Sequence, residues 1–103
     1  MAAVRYHHFE KDNAVVVEEI HEVVVHRFRL GDVEDPDLYA AEPLWEWQKS
    51  EAGQFVMKNA VETPEWRRQA DNVNWGYQYI IVAELEKKKL SEFYLRFDKT
   101  LKL

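Results

Sequence analysis

Aromatic and basic side chains in the chain have the clearest capacity for chemistry. Indole rings can stack on nucleobases and guanidinium groups can bind phosphates, particularly on an open sheet. Six side chains of these two kinds could form one surface, namely Trp66, Arg67, Arg68, Trp75, Arg27 and Arg29. They define a candidate nucleic-acid surface. The simpler interpretation places the aromatic rings in the core and pairs the arginines with acidic residues.

The charge distribution opposes a general affinity for nucleic acid. The formal net charge is −5, and residues 32–51 carry seven acidic side chains against the single Lys49. Binding to a phosphate backbone depends on a strong positive field. Nucleic-acid binding is therefore our alternative hypothesis rather than the leading one.

Metal and catalytic chemistry have little support in the residue pattern. The chain has no cysteine, which excludes thiolate sites and disulfides. His7 and His8 are adjacent and would point to opposite sides of a strand, as would His21 and His26. The acidic run at residues 31–37 lacks the ligand spacing of a calcium loop, and the three glycines form no phosphate loop. We expect no metal, no cofactor, no catalytic residue and no enzymatic activity.

The first third of the chain predicts strands. A short strand is expected over Val4–Phe9, followed by a long alternating stretch over residues 14–30. Because that length is unusual for one strand, a bend or bulge is expected near Glu18 and Glu19. Alternation gives this stretch one apolar face and one mixed face, and the mixed face carries Val15, Val17, Val23 and Val25.

A helix is predicted in the middle of the chain, over residues 43–60. Asp35 followed by Pro36 is typical of a helix start, and Pro43 is expected to separate a short first piece from the main helix. At 100° per residue, Trp45 shares a stripe with the apolar residues Leu44, Ala52, Phe55, Val56 and Ala60. Trp47 then falls on the polar face with Gln54 and Lys58.

The last third favours a hairpin. Residues 77–85 and 91–98 both alternate, and Glu86–Lys89 would form the turn. A helix over residues 83–92 is the competing interpretation, because that stretch is rich in helix formers, and it would give a ferredoxin-like βαββαβ fold. We predict one α+β domain over residues 1–103. It has an antiparallel sheet of about four strands with one long helix on one face, in the order ββαββ.

Two surfaces of this fold could meet a partner. One helix leaves the second sheet face uncovered, and the valine-bearing mixed face would then contact water or protein. Trp47 with Gln54 and Lys58 forms the second candidate, since tryptophan is enriched at binding hot spots. We therefore expect protein–protein contact, including self-association into a homo-oligomer.

Two segments of the chain are GDVEDPDLYAAEPLWEWQKSEAGQFVMKNA (residues 31–60) and WGYQYIIVAEL (residues 75–85). Together they resemble a family of small uncharacterised proteins of marine cyanophages with T-even-like genomes and of ocean metagenomes. The resemblance implies a phage accessory or structural protein in the cytoplasm of an infected cell, with phage or host proteins as partners. It implies no activity and no set of binding residues. We expect neither a signal peptide nor membrane association, because no run approaches the roughly 18 apolar residues of a membrane span.

Overall fold

The computed structural model describes residues 3–71, 73 and 75–97. Within this part of the chain, strands and helices follow one another as β1 (Ala3–Lys11), β2 (Ala14–Gly31), α1 (Pro36–Lys49), α2 (Glu51–Asn59), β3 (Glu65–Asp71), β4 (Gly76–Glu86) and α3 (Lys87–Phe97). This is an α+β fold with four strands in one antiparallel sheet, as predicted. The order of elements is ββααββα, so neither ββαββ nor βαββαβ is correct.

The sheet has the strand order β1-β2-β4-β3. Strand β2 is long because its first half pairs with β1 and its second half with β4. Residues 14–19 of β2 have no β4 partner, so together with β1 they form a two-stranded ribbon that extends past the rest of the described sheet. β3 pairs with β4 through Trp66 opposite Ile81 and Arg67 opposite Ile80.

The irregularity in β2 lies between Val24 and His26, and the predicted bend near Glu18 and Glu19 is wrong. A bulge of one residue reverses the alternation of side chains beyond it. Val23 before the bulge therefore faces the same side of the sheet as His26 and Phe28 after it, and Val25 is the extra residue of the bulge. Phe28 stacks on Tyr79 of β4 on that side, with ring centroids 5.2 Å apart.

The helices cover this side of the sheet and enclose the core. The buried residues of the main cluster are Val23, Trp47, Phe55, Val56, Ile81, Ala83, Leu85, Leu90 and Phe93. Val25 packs against the same cluster. At Val23 and Val25, the face that was expected to be uncovered is the one that the helices cover. The opposite face, which we call the open side, carries no residue of this cluster, although Ile20, Ile80 and Val82 are buried on it.

Helices α1 and α2 replace the single helix predicted over residues 43–60. The break lies at Ser50, whose hydroxyl accepts a hydrogen bond from the Gly53 N–H at 3.0 Å and so caps α2. The first helix begins at Pro36 as the sequence indicates, but Asp35 has a left-handed backbone (φ 50°) and makes no side-chain cap. Pro43 lies inside α1 rather than separating two helices.

The predicted C-terminal hairpin is also wrong, because β4 runs directly into α3. The alternating pattern of residues 91–97 coincides with a helical one: Leu90 and Phe93 are buried, and Tyr94 and Phe97 pack on the same cluster. Spacings of three and four residues place all four on one side of a helix. Residue 98 lies outside the described residues. None of the helices in the described ranges has the length and apolarity that crossing a membrane requires.

Candidate functional site

Helix α1 directs one stripe of side chains at the sheet. Ala40 is fully buried, Leu44 is half-buried, and Trp47 is only 6% exposed. These residues are four and three positions apart, which places them on one side of a helix. Trp47 stacks on His26 of β2, with ring centroids 6.0 Å apart.

The prediction that Trp47 lies on the polar face is wrong. Trp45 and Trp47 do occupy opposite sides of the helix, but Trp45 is the outer residue, at 57% exposure. The error comes from the break at Ser50: Phe55 and Val56 belong to α2, so their helical phase does not extend back into α1. Lys49 lies over the Trp45 ring, with Nζ 3.6 Å from the centroid.

A groove between α1 and strand β3 brings three of the four tryptophans together. It encloses about 230 Å³, and its lining includes Trp45, Trp47, Trp66, Met57 and Glu65. We call this the tryptophan groove. Trp47 forms its buried wall, whereas Trp66 and Met57 are 47% and 42% exposed. The groove therefore offers apolar surface that water still reaches.

The far wall of the groove is fixed by a buried tyrosine. Tyr79 has its ring 5.7 Å from that of Trp66, and its hydroxyl donates to Asp37 Oδ1 at 2.6 Å. Arg68 donates to the same oxygen at 3.1 Å, which joins the start of α1 to β3. Burial, followed by the adjacent carboxylate of Asp37, raises the pKa of Tyr79 to about 12.

Strand β3 runs along the groove as an edge strand. Among the described residues, β4 is its one neighbour. Alternate residues of such a strand direct their N–H and C=O groups away from the sheet, where another extended chain could pair with them. Trp66 of this strand lines the groove, so the free edge and the apolar groove adjoin one another.

The valines predicted to form one contact face are separated by the covering helices. Val23 is buried and Val25 is half-buried in the core. Val15 and Val17 lie on the same side of β2 but on the two-stranded ribbon, beyond the helices, where they are 70% and 54% exposed. Only the ribbon half of this face is accessible.

Gln54 and Lys58 are exposed but lie away from Trp47. They line a shallow depression between α2 and α3, together with Lys89 and Arg96. Gln54 donates to the Lys49 carbonyl at 3.0 Å across the helix break. The structure therefore does not bring Trp47 together with these two residues.

The nucleic-acid candidates divide between the two sides of the sheet. Trp66 and Arg68 are on the helix side, and Arg68 is held by Asp37, which raises its pKa. Arg67 lies on the open side, which Arg27 and Arg29 share by register. Trp75 lies in the connection between β3 and β4, where it is 81% exposed. These six residues do not form one continuous surface.

Within the described residues, no three histidine or acidic side chains are grouped as a metal site would need. Comparison with protein-family models, with curated proteins and with solved structures finds no match to this chain. The geometry of the site is therefore the basis for assigning a function.

Sequence patterns did not identify Trp45 or Glu65 as groove residues. β3 was also missed, because residues 65–71 lack apolar alternation: all but the last are exposed. The available signals were Pro64, which favours an extended chain around it, and Trp66, which has a high strand propensity.

Proposed function

We propose that the protein is a non-enzymatic accessory protein that binds an extended segment of a partner protein along β3 and inserts one side chain of that segment into the tryptophan groove. The observation that supports this most directly is the convergence of Trp45, Trp47 and Trp66 beside a free strand edge.

Strand addition and pocket insertion act together in this binding mode. Main-chain hydrogen bonds to an edge strand contribute affinity for any extended chain, and a side-chain pocket selects among sequences. Tryptophan supplies a large contact area, and its truncation at binding hot spots commonly costs 2 kcal/mol or more. A cavity of about 230 Å³ is suited to one large apolar side chain.

The charge around the groove indicates the character of the partner. Glu65 lines the groove, and Glu42 and Glu46 are exposed on α1, against Lys49 as the single cation of that helix, which lies 3.3 Å from Glu46. An acidic rim favours a segment that carries basic residues beside its apolar one, because complementary potentials speed association and exclude other partners.

Peptide selection tests the proposal. A library of random seven-residue peptides is selected on the immobilised protein, and the affinity of each selected peptide is measured by fluorescence anisotropy. The variants W45A and W66A remove opposite walls of the groove. W75A is the matched control, because Trp75 is an exposed tryptophan that does not line the groove.

We expect W45A and W66A to weaken peptide binding by at least about tenfold, and W75A to leave it unchanged. Amide hydrogen exchange in β3 should slow when the peptide binds, because strand addition protects the outer N–H groups. Failure to select any peptide, or equal weakening by W75A, would count against the groove as the binding site.

The place of this activity in phage infection rests on the resemblance of residues 31–60 and 75–85, and stays a prediction. Nucleic-acid binding likewise stays the alternative hypothesis. Its support is the exposure of Trp66, Trp75 and Arg67, and the opposing observation is their separation across the sheet. Titration with single-stranded DNA and RNA at low salt would decide it, since phosphate contacts strengthen as salt falls.

A further inference from the structure

The tryptophan groove combines indole rings from two elements of the fold. Trp45 and Trp47 belong to α1, and Trp66 belongs to β3. Trp47 stacks on His26 with 6.0 Å between ring centroids, and Trp66 lies 5.7 Å from the ring of Tyr79. Neighbouring rings therefore hold both of these tryptophans in place. Rings that are already ordered can surround a ligand at a lower entropic cost.

The faces of indole rings attract cations. This attraction comes from the π-electron quadrupole, which is strongest for tryptophan, and it does not require a net negative charge on the surrounding side chains. The protein already uses one groove ring in this way, because the Lys49 ammonium lies 3.6 Å from the centroid of the Trp45 ring. Lys49 does not itself line the groove, and Glu46 lies 3.3 Å from its Nζ. A cation in the groove would therefore not meet an unbalanced positive charge beside Trp45.

The lining of the groove suits a cation that has no hydrogen-bond donors. Among the described residues that line it, none is basic, and only Gln48 and Glu65 have side-chain oxygen acceptors. The Glu65 carboxylate lies 3.6 Å from Arg67, so the attraction for a cation must come from the rings rather than from this carboxylate. An ammonium group with three N–H groups would lose water here without enough acceptors to replace it. A trimethylammonium group has no N–H to satisfy and presents methyl groups to the rings.

Given the proposed function, on which this inference rests, we propose that the side chain inserted into the tryptophan groove is a trimethylated lysine of the partner segment. Its head group is large and covered by methyl groups, which suits an apolar groove of about 230 Å³. Methylation also retains the positive charge that the ring faces attract. An unmodified lysine lacks the first property, and a leucine or phenylalanine side chain lacks the second.

NMR signals of the indole groups test the groove separately from strand addition. The ¹⁵N-labelled protein is titrated at constant ionic strength with trimethyl-lysine blocked at both ends, a ligand too short to act as an added strand. Blocked lysine and a neutral isostere, in which carbon replaces the quaternary nitrogen, are the comparison ligands. The Nε1–H signals of the four tryptophans are followed, and that of Trp75 is the internal control because Trp75 does not line the groove.

We expect saturable shifts of the Trp45 and Trp66 signals with trimethyl-lysine. Both comparison ligands should bind at least about fivefold more weakly, because the first is poorly desolvated and the second has no charge for the rings to attract. W45A should weaken the binding of trimethyl-lysine by a similar factor, whereas W75A should leave it unchanged. Trp45 is 57% exposed, so its truncation should preserve the fold, which an unchanged circular dichroism spectrum would verify.

Three results would overturn the inference. Equal affinity for the neutral isostere would indicate a groove for apolar side chains, and the proposed function would still stand. Equal affinity for unmodified lysine would indicate attraction to charge in general. The absence of saturable shifts at Trp45 and Trp66, or equal shifts at Trp75, would place the ligand outside the groove.

Failure of the proposed function gives a different pattern. Trimethyl-lysine would then bind in the groove, but no selected peptide would protect the amides of β3 from hydrogen exchange. Unmodified library peptides remain valid probes of strand addition, because their apolar side chains also fit the groove, although with lower affinity.

Discussion

His26 lies where the bulge of β2 meets helix α1, and its ring stacks on Trp47 and lies 6.1 Å from that of Phe28. Burial among these rings disfavours the charged imidazolium and lowers the pKa of His26 below its usual value of 6.5. The unfolded chain therefore binds a proton more readily than the folded protein does in this pH range. The contribution of His26 to the free energy of unfolding should be complete above about pH 6.5, and it should decline as the pH falls from there through the lowered pKa.

The variant H26F tests this single-residue effect, since phenylalanine keeps a ring against Trp47 but does not titrate. We expect the free energy of unfolding of the wild-type protein, measured by urea denaturation, to fall between about pH 7 and pH 5. H26F should show a smaller fall. H7F is the matched control, because it makes the same substitution at an exposed histidine on the side of the ribbon away from Val15 and Val17. An identical slope in wild type and H26F would contradict the expectation.

At the scale of elements, the junction of α1 and α2 depends on a close backbone contact at Gly53. A Cβ atom added to Gly53 would overlap the carbonyl oxygen of Trp47. Since this neighbour is backbone, the chain at the break must shift to accept a side chain. G53A should destabilise the protein by about 3 kcal/mol and displace Trp47, even though alanine is the better helix former.

G31A is the matched control for this substitution, because nothing lies within 4 Å of a Cβ atom at Gly31. Its stability should stay within about 0.5 kcal/mol of wild type. Thermal unfolding measures both variants, and tryptophan fluorescence reports any displacement of Trp47. A neutral effect of G53A would show that the break can relax at little cost.

The element boundaries also explain how far the sequence could predict this molecule. Alternation located β2 and β4, strand-forming residues located β1, and the local signal Asp35-Pro36 located the start of α1. The break at Ser50 carried a signal as well, since serine is a favoured N-cap. A single helix was predicted in spite of this signal, because the apolar residues before and after Ser50 form one stripe on a helical wheel. The two helices do not share that helical phase.

The candidate site was predictable in its residue types but not in its arrangement. Tryptophan and arginine were singled out, yet their faces depend on the bulge at Val24–His26, on the break at Ser50 and on the register of β3. A shift of one residue in a strand moves a side chain to the opposite face. Local patterns do not determine such shifts, because packing against distant elements selects them.

At the scale of the whole molecule, the ribbon of β1 and β2 extends past the body, and the longest dimension of 56 Å is nearly twice the next. Two strands alone are marginally stable in water. This ribbon also exposes apolar side chains on one side, namely Val4, Tyr6, Val15 and Val17. Covering that side with the ribbon of a second copy would add a layer and bury the apolar residues, which supports the expected homo-oligomer.

We therefore expect the protein to self-associate at micromolar concentration and the double variant V15T/V17T to shift the equilibrium toward monomer. Threonine keeps the branched shape that strands favour but replaces a methyl group with a hydroxyl, so burial in an interface is disfavoured while the ribbon is retained. Light scattering measures the molar mass of each protein across a concentration series. V73T is the control, because Val73 is highly exposed but lies outside the ribbon. A wild-type protein that stays monomeric, or a double variant that associates as strongly as V73T, would show that the ribbon is stable without a second copy.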